Sequence, residues 1–122
     1  MQIHESAENY LERILMLSEE KGIVRSVDIA QELSVTKPSV SVAMKNLRED
    51  GYILMDKDNL ITLTDKGMEI ARNIYDRHKA LTAFLVRLGV DEATAREDAC
   101  KIEHDISPET FRAICRQLKE NP

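Results

Sequence analysis

Long apolar runs are missing from this sequence. None approaches the roughly 20 residues that a membrane-spanning helix needs, and residues 1–8 carry neither the basic stretch nor the apolar stretch of a signal peptide. We therefore expect no membrane association and a cytoplasmic location.

Cysteine is also scarce. The chain has two, Cys100 and Cys115. In a reducing cytosol such thiols stay unpaired and are more often buried, catalytic or metal-bound, so we expect no disulfide.

Positive charge is in deficit, since the 122 residues carry a formal net charge of −5. Sequence-independent affinity for nucleic acid comes from neutralising phosphates with Lys and Arg. The charge balance therefore argues against a protein that coats DNA or RNA, and any DNA binding must use a local basic face.

Apolar residues make up 43% of the chain, which is enough to bury the core of one domain or of two small units. Helical periodicity and capping residues predict six helices, with Ser26 as the N-cap of the second. The predicted helices cover about 5–21, 27–33, 37–50, 65–88, 91–105 and 108 onward. Residues 52–55 and 60–63, on either side of the polar turn 56–59, predict a pair of strands.

The second and third predicted helices are short and joined by a turn of three or four residues, which is typical of a helix-turn-helix, and the strand pair is typical of a wing. The alternative is that this run is only a packing unit. The charge of the third helix favours DNA binding, because Lys37, Lys45 and Arg48 lie in a stretch without acidic residues. Candidate contacts to phosphates and base edges are Thr36, Lys37, Pro38, Ser39, Val42, Lys45 and Arg48.

Three amphipathic helices follow the wing, and they carry more apolar surface than a DNA-binding unit needs for itself. The cluster of Leu81, Phe84 and Leu85 predicts a self-complementary face and hence a homodimer. We therefore predict a mainly α fold class, in which a winged helix-turn-helix DNA-binding domain at 1–63 precedes an all-helical metal-binding and dimerisation domain at 64–122.

Three potential metal ligands lie within five residues. Cys100, Glu103 and His104 are spaced i, i+3 and i+4, which would put them on one face of the helix predicted at 91–105. The alternative is a solvated Glu–His pair beside a small buried thiol. His78 is a candidate fourth ligand, or else an exposed histidine. The first helix has a polar face that offers further candidates, or else a solvated stripe: Glu8, Asn9 and Glu12.

The chain resembles, along almost its whole length, the family of the diphtheria toxin repressor, the iron-dependent regulators and the manganese transport regulator. The resemblance is carried by residues 6–12, the segment from Asp28 through 38–40, Arg77 with His78 and, most specifically, 98–104. It implies a homodimer that binds a palindromic operator when Fe(II) or Mn(II) occupies a site between the two domains. The implied function is a metal-dependent transcriptional repressor that controls metal homeostasis genes and is not an enzyme.

By position, the resemblance implies the metal ligands Asn9, Glu12, His78, Cys100, Glu103 and His104. At the position of Cys100 the iron branch also has cysteine, whereas the manganese branch has glutamate. Asn9 departs from both branches, which have methionine or aspartate there, and an amide offers only its carbonyl oxygen to a metal. Thr82 and Arg96 stand where the iron branch has two ligands of an ancillary site, so we expect that site to be broken.

Other functions and other ions remain open at this point. Co(II), Ni(II) and Zn(II) are expected to bind in the test tube as well. A winged-helix regulator could instead respond to an organic ligand or to oxidation of Cys100. A small metalloenzyme with Glu103 or Glu12 as general base is disfavoured, because no substrate cleft is evident and the basic helix would go unexplained.

Overall fold

The computed structural model describes residues 5–120, which form six α-helices and two short β-strands. In chain order these are α1 (Glu5–Lys21), α2 (Ser26–Leu33), α3 (Lys37–Glu49), β1 (Ile53–Met55), β2 (Ile61–Leu63), α4 (Asp65–Arg87), α5 (Glu92–Ile102) and α6 (Pro108–Glu120). The predicted fold class is confirmed. Within residues 5–120, none of the helices combines the length and the hydropathy of a membrane span.

The described residues group into two compact units, 5–72 and 73–120, which divide within α4. The domain boundary after residue 63 therefore stays a prediction. The first unit has a core of apolar side chains from three helices and both strands: Leu11, Ile14, Leu15, Leu17, Ile29, Val40, Met44, Leu47, Ile53 and Ile61.

The start of α2 differs from the prediction. Ser26 is its first helical residue, and the N-cap is Arg25, whose backbone is extended. The reason is that the Asp28 carboxylate accepts a hydrogen bond from the backbone N–H of Arg25 at 2.9 Å, so a carboxylate in the first turn holds the helix start and no hydroxyl cap is needed.

The third helix begins as predicted. The Thr36 hydroxyl oxygen accepts a hydrogen bond from the backbone N–H of Ser39 at 3.3 Å, and Pro38 occupies the first turn. One side of α3 is buried through Val40, Met44 and Leu47, so the opposite side is left for solvent or a partner.

The wing is an antiparallel pair in which Ile53 lies opposite Leu63 and Met55 lies opposite Ile61. Each strand is one residue shorter than predicted. The backbone N–H of Tyr52 bonds to the Leu47 carbonyl at the end of α3, and that of Leu60 bonds to the side chain of Asp56 in the turn. These two residues therefore belong to the connections.

The second unit contains the rest of α4 with α5 and α6. Helix α5 ends at Ile102, so the prediction of one helical face for all three candidate ligands is wrong for His104. Glu103 is the C-cap of the helix, and His104 lies in the following turn. The chain must leave the helix before Ser107, because the Ser107 hydroxyl caps α6 by accepting a hydrogen bond from the Thr110 N–H at 3.1 Å and Pro108 disfavours helical backbone at the residue before it.

Candidate metal centre and DNA-binding surface

The side chains of His78, Cys100 and Glu103, here called the ligand cluster, converge in the second unit. His78 comes from the middle of α4, and the other two come from the end of α5. The His78 Nδ1 lies 3.0 Å from a Glu103 carboxylate oxygen and 3.7 Å from the Cys100 sulfur. One ligand atom from each residue lies within 4.8 Å of the others. The cluster is thus a converging set of one nitrogen, one sulfur and one oxygen donor.

The hydrogen bonds within the ligand cluster favour a protonated imidazole. The hydrogen bond with Cys100 contributes most, the one with the Glu103 carboxylate adds to it, and together they outweigh burial and raise the pKa of His78 from 6.5 to about 10. When Nδ1 carries a proton it is the donor in both contacts, and the shorter of the two, at 3.0 Å, is the one to the carboxylate. A metal ion must displace this proton, because only the neutral ring has a lone pair for it.

The donor set fits a divalent transition metal. Imidazole, thiolate and carboxylate bind such ions at about 2.0–2.3 Å, so two atoms on one ion lie at most about 4.6 Å apart. The distances from His78 Nδ1 to the Glu103 oxygen and to the Cys100 sulfur, 3.0 and 3.7 Å, lie within this limit. Glu103 is fully buried, and among the described residues its Oε1 accepts no hydrogen bond, although His104 Nε2 lies 3.5 Å away. Burying a carboxylate oxygen without a hydrogen bond costs free energy, unless a cation binds to it.

The burial of the other predicted ligands argues against their solvated alternatives. The side chains of Glu103 and His104 are 0% and 2% exposed, so they are not a surface pair. Glu12 is buried and Asn9 is half-buried on α1, so Glu12 is not part of a solvated stripe. The role of Asn9, Glu12 and His104 as ligands stays a prediction.

The two residues of the expected broken ancillary site are engaged locally. The Thr82 hydroxyl donates to the His78 backbone carbonyl at 2.8 Å, and Arg96 forms an exposed ion pair with Glu92 at 2.7 Å.

The exposed side of α3 carries the predicted DNA-contacting residues. All seven are exposed: Thr36, Lys37, Pro38, Ser39, Val42, Lys45 and Arg48. Val42 is 61% exposed although it is apolar. The Thr36 hydroxyl donates to Ser39 Oγ at 2.8 Å, so these two polar side chains already hold each other at the helix start.

A groove of about 470 Å³ lies in the first unit and is lined by residues from the start of α2, from α3 and from the wing. Three cationic side chains line it, Arg25, Lys45 and Arg48, and none of its lining residues is acidic. In a chain with a net charge of −5, the lining of this groove is a local concentration of positive charge.

Two family models match the chain in succession. The one described as the N-terminal DNA binding domain of the iron dependent repressor matches residues 2–59, and the one described as its metal binding and dimerisation domain matches residues 64–121. The chain belongs to the iron-dependent repressor family. The resemblance to the family of the diphtheria toxin repressor and the manganese transport regulator is therefore confirmed.

Similar proteins in this family are transcriptional regulators. The chain is 42% identical over 112 residues to an uncharacterised HTH-type transcriptional regulator of Methanocaldococcus jannaschii, covering 90% of both. It is 41% identical over 102 residues to the HTH-type transcriptional regulator MntR of Bacillus subtilis, covering 84% of this chain and 72% of that protein. The solved structure of the manganese regulator SloR matches with a TM-score of 0.81 and 30% identity over 98% of this chain. The chain spans about half, 55%, of that solved structure.

In this member of the iron-dependent repressor family, the sequence did not point to Arg25 as part of the cationic groove. Arg25 lines the groove together with Lys45 and Arg48, yet it precedes α2 and lies outside the helix that the charge pattern singled out. The available signal was a cation next to a helix start. Helical periodicity does not reveal which way a residue in a connection faces.

Proposed function

We propose that this chain is a metal-dependent, DNA-binding transcriptional repressor of metal homeostasis genes, which acts as a homodimer and binds a palindromic operator when Fe(II) or Mn(II) is present. The observation that carries the proposal is the ligand cluster of His78, Cys100 and Glu103, whose donor atoms lie within 4.8 Å of one another. An organic effector would give no reason for a buried Glu103 oxygen that accepts no hydrogen bond among the described residues.

The ligand cluster is proposed to hold the ion. A bound divalent cation supplies positive charge that neutralises the carboxylate and the thiolate and takes the place of the imidazole proton. His78 then offers a ring nitrogen, Cys100 its sulfur and Glu103 an oxygen, so α4 and the end of α5 are fixed relative to each other. The family resemblance adds Asn9, Glu12 and His104 as further ligands.

Metal binding is proposed to act on DNA affinity by shifting a population. The ion binds the DNA-competent arrangement better than the relaxed one, and no chemical step is needed. A coupling free energy of roughly 1–3 kcal/mol between the metal site and the DNA site corresponds to a change in operator affinity of about 5- to 150-fold.

Helix α3 is the proposed recognition helix. Its exposed cations, Lys37, Lys45 and Arg48, suit phosphates, and the exposed Val42 side chain suits a thymine methyl group in the major groove. The groove extends this surface toward α2, where Arg25 adds another cation for the DNA backbone.

Fe(II) is proposed as the activating ion. The Cys100 thiolate favours softer or later ions over Mn(II), and Asn9 replaces a carboxylate that would favour Mn(II). Zn(II) and Co(II) are expected to bind tightly in the test tube, so affinity alone does not name the cellular metal.

Operator binding tests the function. The operator is selected from random duplexes with the purified chain, and its binding is then titrated anaerobically with Fe(II), Mn(II), Co(II) and Zn(II), and with chelator alone. We expect metal-dependent binding, with Fe(II) effective at lower concentration than Mn(II). Equal binding in chelator would contradict a metal-dependent repressor and favour an organic or redox effector. An equal or stronger response to Mn(II) would contradict the iron assignment alone.

A further inference from the structure

Arg77 holds the ligand-bearing end of α5 by its backbone. A single guanidinium nitrogen, NH1, donates to the backbone carbonyls of Glu103 and Ile106, each at 3.2 Å. The guanidinium also lies 5.3 Å from the centre of the Phe111 ring on α6. Arg77 directly precedes His78 on α4. The two neighbours therefore contact the same residue of the turn: His78 contacts the Glu103 carboxylate, and Arg77 contacts the Glu103 backbone carbonyl.

The turn that Arg77 holds has little regular structure to fix it. Helix α5 ends at Ile102 and α6 begins at Pro108, so the carbonyls of Glu103 and Ile106 have no helical N–H partner of the usual kind. Hydrogen bonds from a permanently charged guanidinium are about twice as strong as neutral ones. Arg77 therefore gives both carbonyls a charge-assisted hydrogen bond where the helices provide none.

We propose that Arg77 is a positioning residue for the metal site. It places the Glu103 carboxylate against His78. Through its contacts with Ile106 and Phe111, it also fixes the position of this carboxylate relative to the start of α6. Arg77 does not bind the ion itself, because a guanidinium keeps its charge and has no lone pair to offer. The inference rests on the proposed metal site, but its test measures metal binding directly and without DNA.

The matched control is Arg87. It also lies on α4, and its NH1 also donates to two backbone carbonyls, those of Gln117 and Leu118 on α6, each at 3.3 Å. Arg87→Ala therefore removes two guanidinium–carbonyl hydrogen bonds from the same helix, at a more exposed position, without touching the turn after α5.

The experiment is an anaerobic Co(II) titration of the full chain, followed by absorption. The charge-transfer band reports the Cys100 sulfur, and the ligand-field bands report coordination geometry. Partners that orient metal ligands typically contribute about 10- to 100-fold to metal affinity. We expect this loss in Arg77→Ala, with altered ligand-field bands at saturating Co(II). Arg77→Lys, which keeps the charge and much of the length, should recover part of the affinity, and Arg87→Ala should match wild type in both readouts.

Two results would overturn the proposal. One is wild-type affinity and spectrum in Arg77→Ala. The other is an equal loss in Arg77→Ala and Arg87→Ala with unchanged bands, which would indicate general destabilisation. If circular dichroism shows that Arg77→Ala does not fold, Arg77→Gln, which keeps part of the stem without the charge, is judged by the same two criteria. Failure of the proposed function would give a different result: the wild-type chain would bind Co(II), but its affinity for the operator would be the same with and without metal.

Discussion

His78 is the residue at which a proton and the proposed metal ion compete. Hydrogen bonds to Cys100 and Glu103 raise its pKa to about 10 in the folded chain, from an ordinary value of 6.5. A raised pKa means that the folded state binds the proton more tightly, so the stabilisation is fully present below about pH 6.5 and is lost as the pH rises through about 10.

The first prediction follows for the metal-free chain. His78→Gln should lower the free energy of unfolding most near pH 6.5 and progressively less toward pH 10. Urea unfolding in chelator across this range measures the difference from wild type. Asp76→Asn, which removes an exposed ion pair with Lys79, is the control and should have little effect at any pH. If the loss of unfolding free energy in His78→Gln instead increases with pH, the raised pKa of His78 is contradicted.

Metal preference is the second prediction, and it concerns two residues. In the proposed site Cys100 would offer a soft sulfur donor, and Asn9 stands where, by the resemblance, the manganese branch has an aspartate carboxylate. Replacing Cys100 by Glu together with Asn9 by Asp should lower the concentration of Mn(II) that activates operator binding relative to Fe(II), because both changes add hard oxygen donors. Anaerobic operator titration measures it. If Cys100→Ala leaves both responses unchanged, the sulfur does not set the selectivity.

The candidate ligands were predictable to different degrees. The spacing of Cys100 and Glu103 indicated a shared helical face, and the structure brings both to one place. His78 is separated from them by more than twenty residues, so its pairing with Glu103 depends on how two helices pack. The same holds for Arg77, whose partners are backbone carbonyls and therefore leave no trace in residue types.

Most helices and strands followed from apolar spacing and caps, because those signals act over a few residues. The end of α5 did not. Residues 103–105 continue a helical pattern in sequence, yet the backbone N–H of Asp105 bonds to the carbonyl of Ile102, three residues back, in a tight turn. The cap at Ser107 and the arginine from α4 compete with the helix for this segment, and the second of these is a tertiary contact.

The third prediction separates two roles on α3. Lys45→Ala or Arg48→Ala should weaken binding to all DNA sequences alike and lower the salt dependence by about one unit of slope for each phosphate that is no longer neutralised. Val42→Ala should instead change sequence preference. Binding to operator and to scrambled duplex over a range of salt concentrations measures both, with Lys119→Ala on α6 as the control. If neither class of variant alters DNA binding, α3 is not the recognition helix.

The fourth prediction concerns the close approach of α4 to the residue before the wing. A Cβ added at Gly67 would clash with the backbone carbonyl oxygen of Tyr52. Ala normally stabilises a helix relative to Gly by about 1 kcal/mol, but here the backbone must move, and overpacking of this kind costs typically about 1–3 kcal/mol. Gly67→Ala should therefore lower the free energy of unfolding in urea. A stabilised variant would show that the backbone at this point relaxes easily.

At the scale of the whole molecule, the predicted dimer face needs one correction. Leu81 is 2% exposed in the single chain, so it belongs to the core and is not available to a partner. Phe84 and Leu85 are half-buried, whereas Val86 and Leu88 near the end of α4 are 42% and 66% exposed. Periodicity places apolar residues on a stripe, but it does not tell which part of the stripe the chain covers itself.

The last prediction is that the chain is a homodimer through the end of α4. Burying an exposed apolar side chain such as Leu88 against a second copy of the chain is favourable in free energy. Because the predicted interface is two-fold, each substitution occurs in it twice. Leu88→Glu should therefore shift the chain toward monomer in light scattering at micromolar concentration. The matched control is Leu54→Glu, because Leu54 is 60% exposed but lies on β1 of the wing. A monomeric wild type with and without metal would contradict the dimer. Equal effects of both substitutions would place the interface elsewhere than at the end of α4.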